Sequence, residues 1–435
     1  MGVSNIIFLL VFLGASALFA KNLKRIIRNI KLGKDVNRSD NPSLRWKTMI
    51  RVALGQSKMV VRPIAGFLHI LVYVGFVIIN IEVIEIIIDG IFGTHRVLSF
   101  MGGFYNFLIG SFEVLALLVL VSCIIFLIRR NVVKIQRFWK PEMKGWPASD
   151  ANLILIFEVL LMSAFLFMNA ADFLLQERGV FHHAGAFPIS GMLTPMLAHL
   201  SDGTLLFIER FCWWFHIVGI FGFLNYLVVS KHLHILFAFP NTYYSNLNPK
   251  GQFTNMASVT NEVKMMLDPN ADPFAAPASD VAPERFGAKD VTDLNWVQLM
   301  NAYTCTECGR CTSECPANTT GKKLSPRKIM MDVRDRIEEV GRGIDKNGAD
   351  FTDEKSLLND YITPEELWAC TSCNACTEAC PVNIDPLSVI VDLRRYLVME
   401  ESAAPTELNM MFTNVENNGA PWQFPAADRL NWKDE

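Results

Sequence analysis

The chain has 435 residues, of which 51% are apolar and only 19% charged, with a mean hydropathy of +0.26. Charge is scarcer than the ~25% of ordinary soluble domains, and the net charge of −3 excludes nucleic-acid binding by bulk electrostatics. Ten cysteines are present; Cys123 and Cys212 sit in apolar runs and read as small buried hydrophobes, and the other eight fall in two runs near the C-terminal end.

Five apolar stretches approach the roughly 20 residues that a bilayer crossing needs: residues 3–20, 63–88, 103–128, 151–175 and 204–229. The first contains Ala15-Ser16-Ala17, a step resembling a signal-peptidase site. Its preceding "MGVSN" lacks a basic residue, however, and the basic run follows the apolar one, so it reads as a span. The fifth is expected to continue as helix to Phe239, because "HILFAF" stays apolar and Pro240 is the first breaker. Loop charge sets the orientation. Residues 21–62 hold twelve Lys and Arg and residues 129–150 hold six, whereas the loops 90–102 and 176–203 hold only Arg96 and Arg178. Basic loops stay on the cytoplasmic side, which places the N-terminus outside and everything after the fifth span in the cytoplasm.

The fold class expected is therefore all-α: a five-span bundle (1–240), a Pro-, Ala- and Asp-rich linker (241–290) read as mostly extended, a helical cysteine domain (291–402) and a weakly patterned tail (403–435). Within the cysteine domain, "TDLNWVQLMNAYTC" reads as a helix capped by Thr292 or Asp293. Ser325-Pro326 and Thr363-Pro364 each open a helix, and "PLSVIVDLRRYLVMEE" forms another.

Cys305, Cys308, Cys311 and Cys315 precede Pro316; Cys370, Cys373, Cys376 and Cys380 precede Pro381. This is one C-x2-C-x2-C-x3-C-P run written twice. Structural zinc favours separated cysteine pairs over such a run, and a reducing compartment argues against disulfides. The run is the ligand spacing of [4Fe-4S] clusters, and in two-cluster ferredoxins the fourth cysteine ligates the other cluster. The expected sets are Cys305, Cys308, Cys311 and Cys380 on one cubane, and Cys370, Cys373, Cys376 and Cys315 on the other.

Of the eight histidines, His95, His182, His183 and His199 lie in the outer loops and read as solvated or interfacial. His69 and His234 lie near the basic ends of spans two and five, at a depth of roughly 10 Å. Histidines at matched depth on neighbouring helices can clamp one haem iron; the alternative for His69 is a hydrogen bond inside the bundle. His216 and His234, eighteen residues apart on one helix, are expected to share a face about 27 Å apart along the axis, with His232 pointing almost the opposite way.

Residues 60–240, through "GFLHILVYVGF" and the His216-x17-His234 spacing ending "SKHLHILFAFP", resemble the cytochrome b subunit of respiratory nitrate reductase and the membrane subunits of heterodisulfide reductases. That resemblance implies b-type haem, with His69 and His234 as ligands of the inner haem and His216 as a ligand of the outer one. The second histidine of span two is missing: Ile79 stands near its place. Residues 290–401 resemble the iron–sulfur part of heterodisulfide-reductase-like proteins and of bacterial electron-transfer-flavoprotein:menaquinone oxidoreductases. This implies a bacterial inner-membrane subunit exchanging electrons with menaquinone or another quinone. Its expected partner is a cytoplasmic redox subunit carrying the Cys-Cys modules that this sequence lacks, or a flavoprotein donor. No Gly-rich nucleotide fingerprint appears, so flavin or nicotinamide binding is not expected on this chain. Because quinone chemistry needs protons, Glu82, Glu85, Glu113, Glu158 and Asp172, in or at the ends of spans, are candidate relays or helix-end partners of basic residues. Glu209–Arg210 reads as a pair of the latter kind. Two rival functions share these features: an electron conduit to an outer acceptor without a quinone site, and a redox-sensing membrane scaffold.

Overall fold

A computed structural model describes residues 2–269 and 285–434; most of the Pro- and Ala-rich stretch of the expected linker lies outside the described residues. The secondary structure is helical, with β-pairing limited among the described residues to isolated bridges at Lys34–Asn295 and Leu358–Ile362. Five helices are long and apolar enough to cross a membrane: α1 (Val3–Ile30), α2 (Pro63–Phe92), α3 (Gly103–Asn131), α4 (Trp146–Glu177) and α5 (Asp202–Leu227).

The sequence marks their ends. Pro63 and Pro147 sit in the first turns of α2 and α4, where a missing N–H costs nothing. Ser201 caps α5 by accepting from Thr204 N at 3.3 Å. Gly93 ends α2 in the left-handed region, φ 75°. Consecutive helices pack side by side, and α1 closes the ring by packing against both α5 and α2. Gly90 makes that closure possible: a Cβ there would stand 2.6 Å from the Phe8 ring, which is 1% exposed. Large apolar side chains such as Leu10, Phe67, Ile84, Phe107, Leu160 and Phe207 remain on the outer faces, where lipid takes the place of a protein core.

Helix α1 runs ten residues beyond the expected span end at residue 20, because its basic last turns dock on the cysteine domain. Asn29 Nδ2 donates to the Tyr303 hydroxyl at 2.9 Å and Arg28 Nη2 donates to Gly341 O at 2.9 Å. The fifth helix is not continuous to Phe239. It ends at Leu227; a turn and a 3-10 segment (Lys231–Leu233) follow, and α6 (His234–Tyr243) carries Pro240 inside it. Two groups impose the break. Ser230 Oγ accepts from His232 N at 3.1 Å, and Asp150 of α4 accepts from the Tyr226 hydroxyl at 2.5 Å and from Lys231 N at 3.1 Å.

The cysteine domain is built on α7 (Trp296–Thr304), α8 (Pro326–Asn347) and α9 (Pro386–Met399). Ser325 and Thr363 cap as expected. The cap of α7 is Asn295, in a capping box with Gln298, rather than Thr292 or Asp293; Asp293 instead closes the turn before it by accepting from Lys289 N and Asp290 N. The domain's core is continuous with Ile26 and Ile30 of α1 and with Leu233 and Phe237 beside the break. The tail forms a helix, Thr406–Asn418, with no buried residue.

Candidate functional site: two cysteine sets and a histidine group

The duplication in sequence is also a duplication in backbone. Two residues after the first cysteine of each run the chain turns left-handed, at Glu307 (φ 54°) and Ser372 (φ 57°), and four residues after it again, at Gly309 (φ 71°) and Asn374 (φ 60°). A helical turn follows in each copy, and the fourth cysteine, Cys315 or Cys380, is extended before its proline. A left-handed φ favours glycine at 309, where the second copy has Asn374, and a Cβ at 309 would make Arg327 Nη1, 2.5 Å away, shift. The helical turns of the two copies pack on each other.

That packing exchanges the fourth cysteines. Cys305, Cys308, Cys311 and Cys380 line one small cavity together with Arg310, Arg327 and Ile384. Cys315 lies instead within electrostatic reach of Cys370 and Cys373. Backbone N–H groups point at the sulfurs, Ile384 N to Cys380 Sγ at 3.3 Å and Ser372 N to Cys370 Sγ at 3.4 Å. Burial pushes the Cys305 and Cys376 thiols up to about 12 and the Cys380 thiol up to about 11, so metal binding to these three must displace protons. No three His, Cys, Asp or Glu side chains among the described residues converge on a single-ion position. The thiols of Cys305, Cys308, Cys311 and Cys380 line one cavity, an arrangement open to ligation of separate irons. The donor set therefore fits iron–sulfur clusters. Each set has two buried cysteines, Cys305 and Cys380 in one and Cys315 and Cys376 in the other; Cys373 is the exposed one of the eight.

The inner set faces the membrane bundle. Arg310 Nη1 donates to Lys58 O at 2.7 Å, and Arg62 Nη2 donates to Ser313 Oγ at 2.6 Å. Lys231, in the break after α5, bonds Glu307 Oε2 at 2.6 Å, and Arg334 bonds the other oxygen at 2.8 Å. Glu307 stands between Cys305 and Cys308, and Lys231 immediately precedes His232. Burial raises the Glu307 carboxyl, but Arg334 and Lys231 outweigh it and hold the group below its ordinary range.

Three histidines gather at this junction. The His232 and His234 rings are 5.4 Å apart, and His69 lies within electrostatic reach of both. His234 Nδ1 is bonded to Lys231 O at 2.9 Å, which fixes the ring and leaves Nε2 free. The Nδ1 atoms of His69 and His232 are buried without a partner. Burial and then the neighbours His234, His69 and Lys231 hold His232 well below the usual imidazole range. His232 thus stands beside the other two rather than pointing away, because the break at Val228–Ser230 resets the helical phase. His216 is elsewhere: 2% exposed in α5, with Nδ1 on Leu161 O at 3.0 Å and its ring 5.8 Å from Phe165. It no longer shares a helix with His234, and Ile79 is buried at 6% exposure.

Residues 304–384 match the 4Fe-4S dicluster domain. Over 99% of its length the chain is 28% identical to the "Probable iron-sulfur-binding oxidoreductase FadF" of Bacillus subtilis, covering 61% of that protein. Over 92% of its length it is 28% identical to the "EtfAB:quinone oxidoreductase" of Syntrophomonas wolfei, covering 55% of it. A third relative, the "Probable membrane-anchored ferredoxin" of Chromohalobacter salexigens, is 33% identical over 35% of this chain and 25% of its own. The chain thus spans between half and two thirds of the length of these first two relatives. No solved structure matches it. Its relatives are iron–sulfur oxidoreductases, and its cysteine domain is of the kind that carries two [4Fe-4S] clusters.

Sequence reasoning missed Glu307, Lys231, Arg334 and Asp150, the charged residues that join the two sites. A weak signal was present in the acidic residue inside "CTECGRC" and the lysine inside "SKHLH"; nothing local pairs them.

Proposed function

We propose that this chain is the membrane electron-transfer subunit of a quinone-linked oxidoreductase, passing electrons between a cytoplasmic redox partner and the quinone pool. The observation that carries the reading is the buried Lys231–Glu307 pair, which ties the inner cysteine loop to the histidine turn. Cys370, Cys373, Cys376 and Cys315 hold the cluster nearer the surface, where a donor approaches. Cys305, Cys308, Cys311 and Cys380 hold the one beside the bundle. His69 and His234, half-buried imidazoles at the junction, hold one b-type haem at the bundle end. These groups, when bound, supply one-electron chemistry; the protein supplies thiolate and imidazole ligands, N–H donors to sulfur and a water-poor junction.

His216 has no facing histidine in span two, so the donor set suits one haem rather than two. That weighs against a conduit to an outer acceptor, which needs a second redox level. The twelve and six basic residues of residues 21–62 and 129–150 lie in the segments that receive the cysteine domain. Basic loops face the cytoplasm, so the domain is cytoplasmic and the membrane is the bacterial inner membrane. The name EtfAB:quinone oxidoreductase makes an electron-transfer flavoprotein the favoured donor and menaquinone the favoured acceptor class; a cytoplasmic subunit with Cys-Cys modules is the other partner considered.

The test is reconstitution of the purified complex in liposomes containing a menaquinone analogue. Chemically reduced protein should reduce the quinone and show a low-spin bis-histidine spectrum, and His69→Ala should lose both while keeping its iron and sulfide. Full haem content with an unchanged spectrum in His69→Ala would end the haem assignment; an inert quinone would end the enzymatic reading.

A further inference from the structure

The two cysteine sets stand in different charge. Arg310, 5% exposed, falls between Cys308 and Cys311 and lines the cavity that they share with Cys305 and Cys380. Its guanidinium donates to Lys58 O at 2.7 Å and to Met59 O at 3.3 Å, backbone oxygens of the segment before α2. It lies within electrostatic reach of Cys308, Cys380 and His69. Lys58 Nζ donates to the carbonyl oxygens of Cys380 and Glu378, each at 3.2 Å. Arg137 lies within reach of Cys308, and its Nε is buried with no hydrogen-bond partner. The carboxylates nearby are taken by other cations: Glu307 by Lys231 and Arg334, Glu142 by Arg327 and Glu378 by Lys250. Among the described residues, Arg310, Lys58 and Arg137 have no carboxylate in an ion pair.

The other set lacks such a surplus. Arg394 donates to Cys370 O at 2.5 Å. Against it stands Asp385, within electrostatic reach of Cys376, which accepts from Thr377 Oγ1 at 3.0 Å and from Ser388 N at 3.2 Å. Water reaches this set at Cys373, whereas no cysteine of the Arg310 set is exposed. A cubane held by four thiolates is already negative, and reduction adds one more negative charge. Net charge and solvent exposure around it therefore set its potential. Burial alone would leave the inner set the harder to reduce. Fixed cations in place of water reverse that, because a charge acts more strongly where the dielectric is low.

We propose that Arg310, with Lys58 and Arg137, forms an electrostatic collar that raises the reduction potential of the cluster held by Cys305, Cys308, Cys311 and Cys380. Resting on the electron path proposed above, its task is to draw inward an electron that the cytoplasmic donor has delivered to the outer cluster. In that step the outer cluster loses one electron and the inner one gains it. No bond to the collar forms or breaks, and the guanidinium of Arg310 keeps its proton throughout.

The test is a mediated redox titration of the full chain in its complex, followed by electron paramagnetic resonance. The inner signal is the one that Cys305→Ser removes, and the outer signal the one that Cys370→Ser removes. In the wild type the inner cluster should be reduced first. In Arg310→Met its ratio of reduced to oxidised form at a fixed poise should fall about tenfold, a shift of about 59 mV for one electron, while the outer cluster stays where it was. Arg310→Lys keeps the charge and should recover most of the shift, which a purely structural role would not predict. Lys58→Met leaves the Arg310 bonds in place, since these are to backbone oxygens, and should move the inner cluster in the same direction; it decides the matter if Arg310→Met does not assemble. An inner potential unchanged in Lys58→Met and Arg310→Met, an equal shift of both clusters, or a wild-type inner cluster reduced after the outer one would overturn the collar. The titration uses neither donor nor quinone. If the wild-type protein does not reduce quinone, the quinone reading falls, and the potentials still decide the collar.

Discussion

Glu307, its side chain 3% exposed, accepts from two half-buried cations at once, Lys231 at 2.6 Å and Arg334 at 2.8 Å. Removing one member of a buried ion pair costs about 3–5 kcal/mol, because the remaining charges are left unpaired. Glu307→Gln should therefore loosen the seat of the cysteine domain. The expected signs are a lowered melting temperature and faster protease cleavage between residues 245 and 269. The pH dependence has a definite sign. The folded-state pKa of Glu307 is depressed, so its contribution is fully present above the unfolded value of about 4.3. It is lost as pH falls through the lower folded value. Wild-type protein should hold the domain seated from neutral pH down to about 4.3, then become protease-sensitive in stronger acid. Glu307→Gln should lack this acid transition. Equal cleavage of the two proteins at neutral pH would show that the pair contributes little.

At the scale of elements, the break between α5 and α6 matters most, because it decides which histidines meet. Asp150 Oδ1 and Oδ2 hold Tyr226 before the break and Lys231 after it. Asp150→Ala removes both contacts and leaves a buried N–H to find another partner, at about 1–3 kcal/mol. The variant should keep its clusters but show a broadened or weakened haem spectrum, since the turn carrying His232 and His234 is freed. An unchanged spectrum and melting temperature would mean that Ser230 alone sets the break. Here the limit of sequence reading is physical. The five spans were legible because hydropathy is a local property, and the cysteine runs because ligand spacing is local too. The break was not legible: residues 235–239 stay apolar, and Asp150, which fixes the turn together with Ser230, lies some 80 positions away on another helix. Pro240 misled in the same way, since α6 starts late enough to carry it. Arg96 was read only as a loop charge; its burial against Asp172 needs α4, which no local pattern near residue 96 reveals.

Across the whole molecule the proposed redox groups follow one another: the cysteine set that includes the exposed Cys373, the set that faces the bundle, and then the histidine junction. The cysteine domain is one unit rather than two, because each half places its last cysteine beside the first cysteines of the other. The backbone repeat at Glu307 and Gly309, and again at Ser372 and Asn374, makes the halves alike; the cavity shared by Cys380 with Cys305, Cys308 and Cys311 makes them inseparable. A substitution in the second run is therefore expected to act on the first cluster. Cys380→Ser should remove the signal of the inner cluster, which Cys305, Cys308 and Cys311 would otherwise hold, and leave the outer one intact. The consequence reaches further than the lost iron. With only the surface cluster left, a soluble donor should still reduce the protein, but those electrons should no longer reach the histidine junction, so haem reduction by the donor should slow by orders of magnitude while reduction by dithionite persists. Cys315→Ser should reverse the pattern, sparing the inner cluster and blocking entry at the surface. Electron paramagnetic resonance of the two variants, read beside donor-driven haem reduction, checks both halves of the expectation. Loss of the outer cluster in Cys380→Ser would show that each run ligates its own.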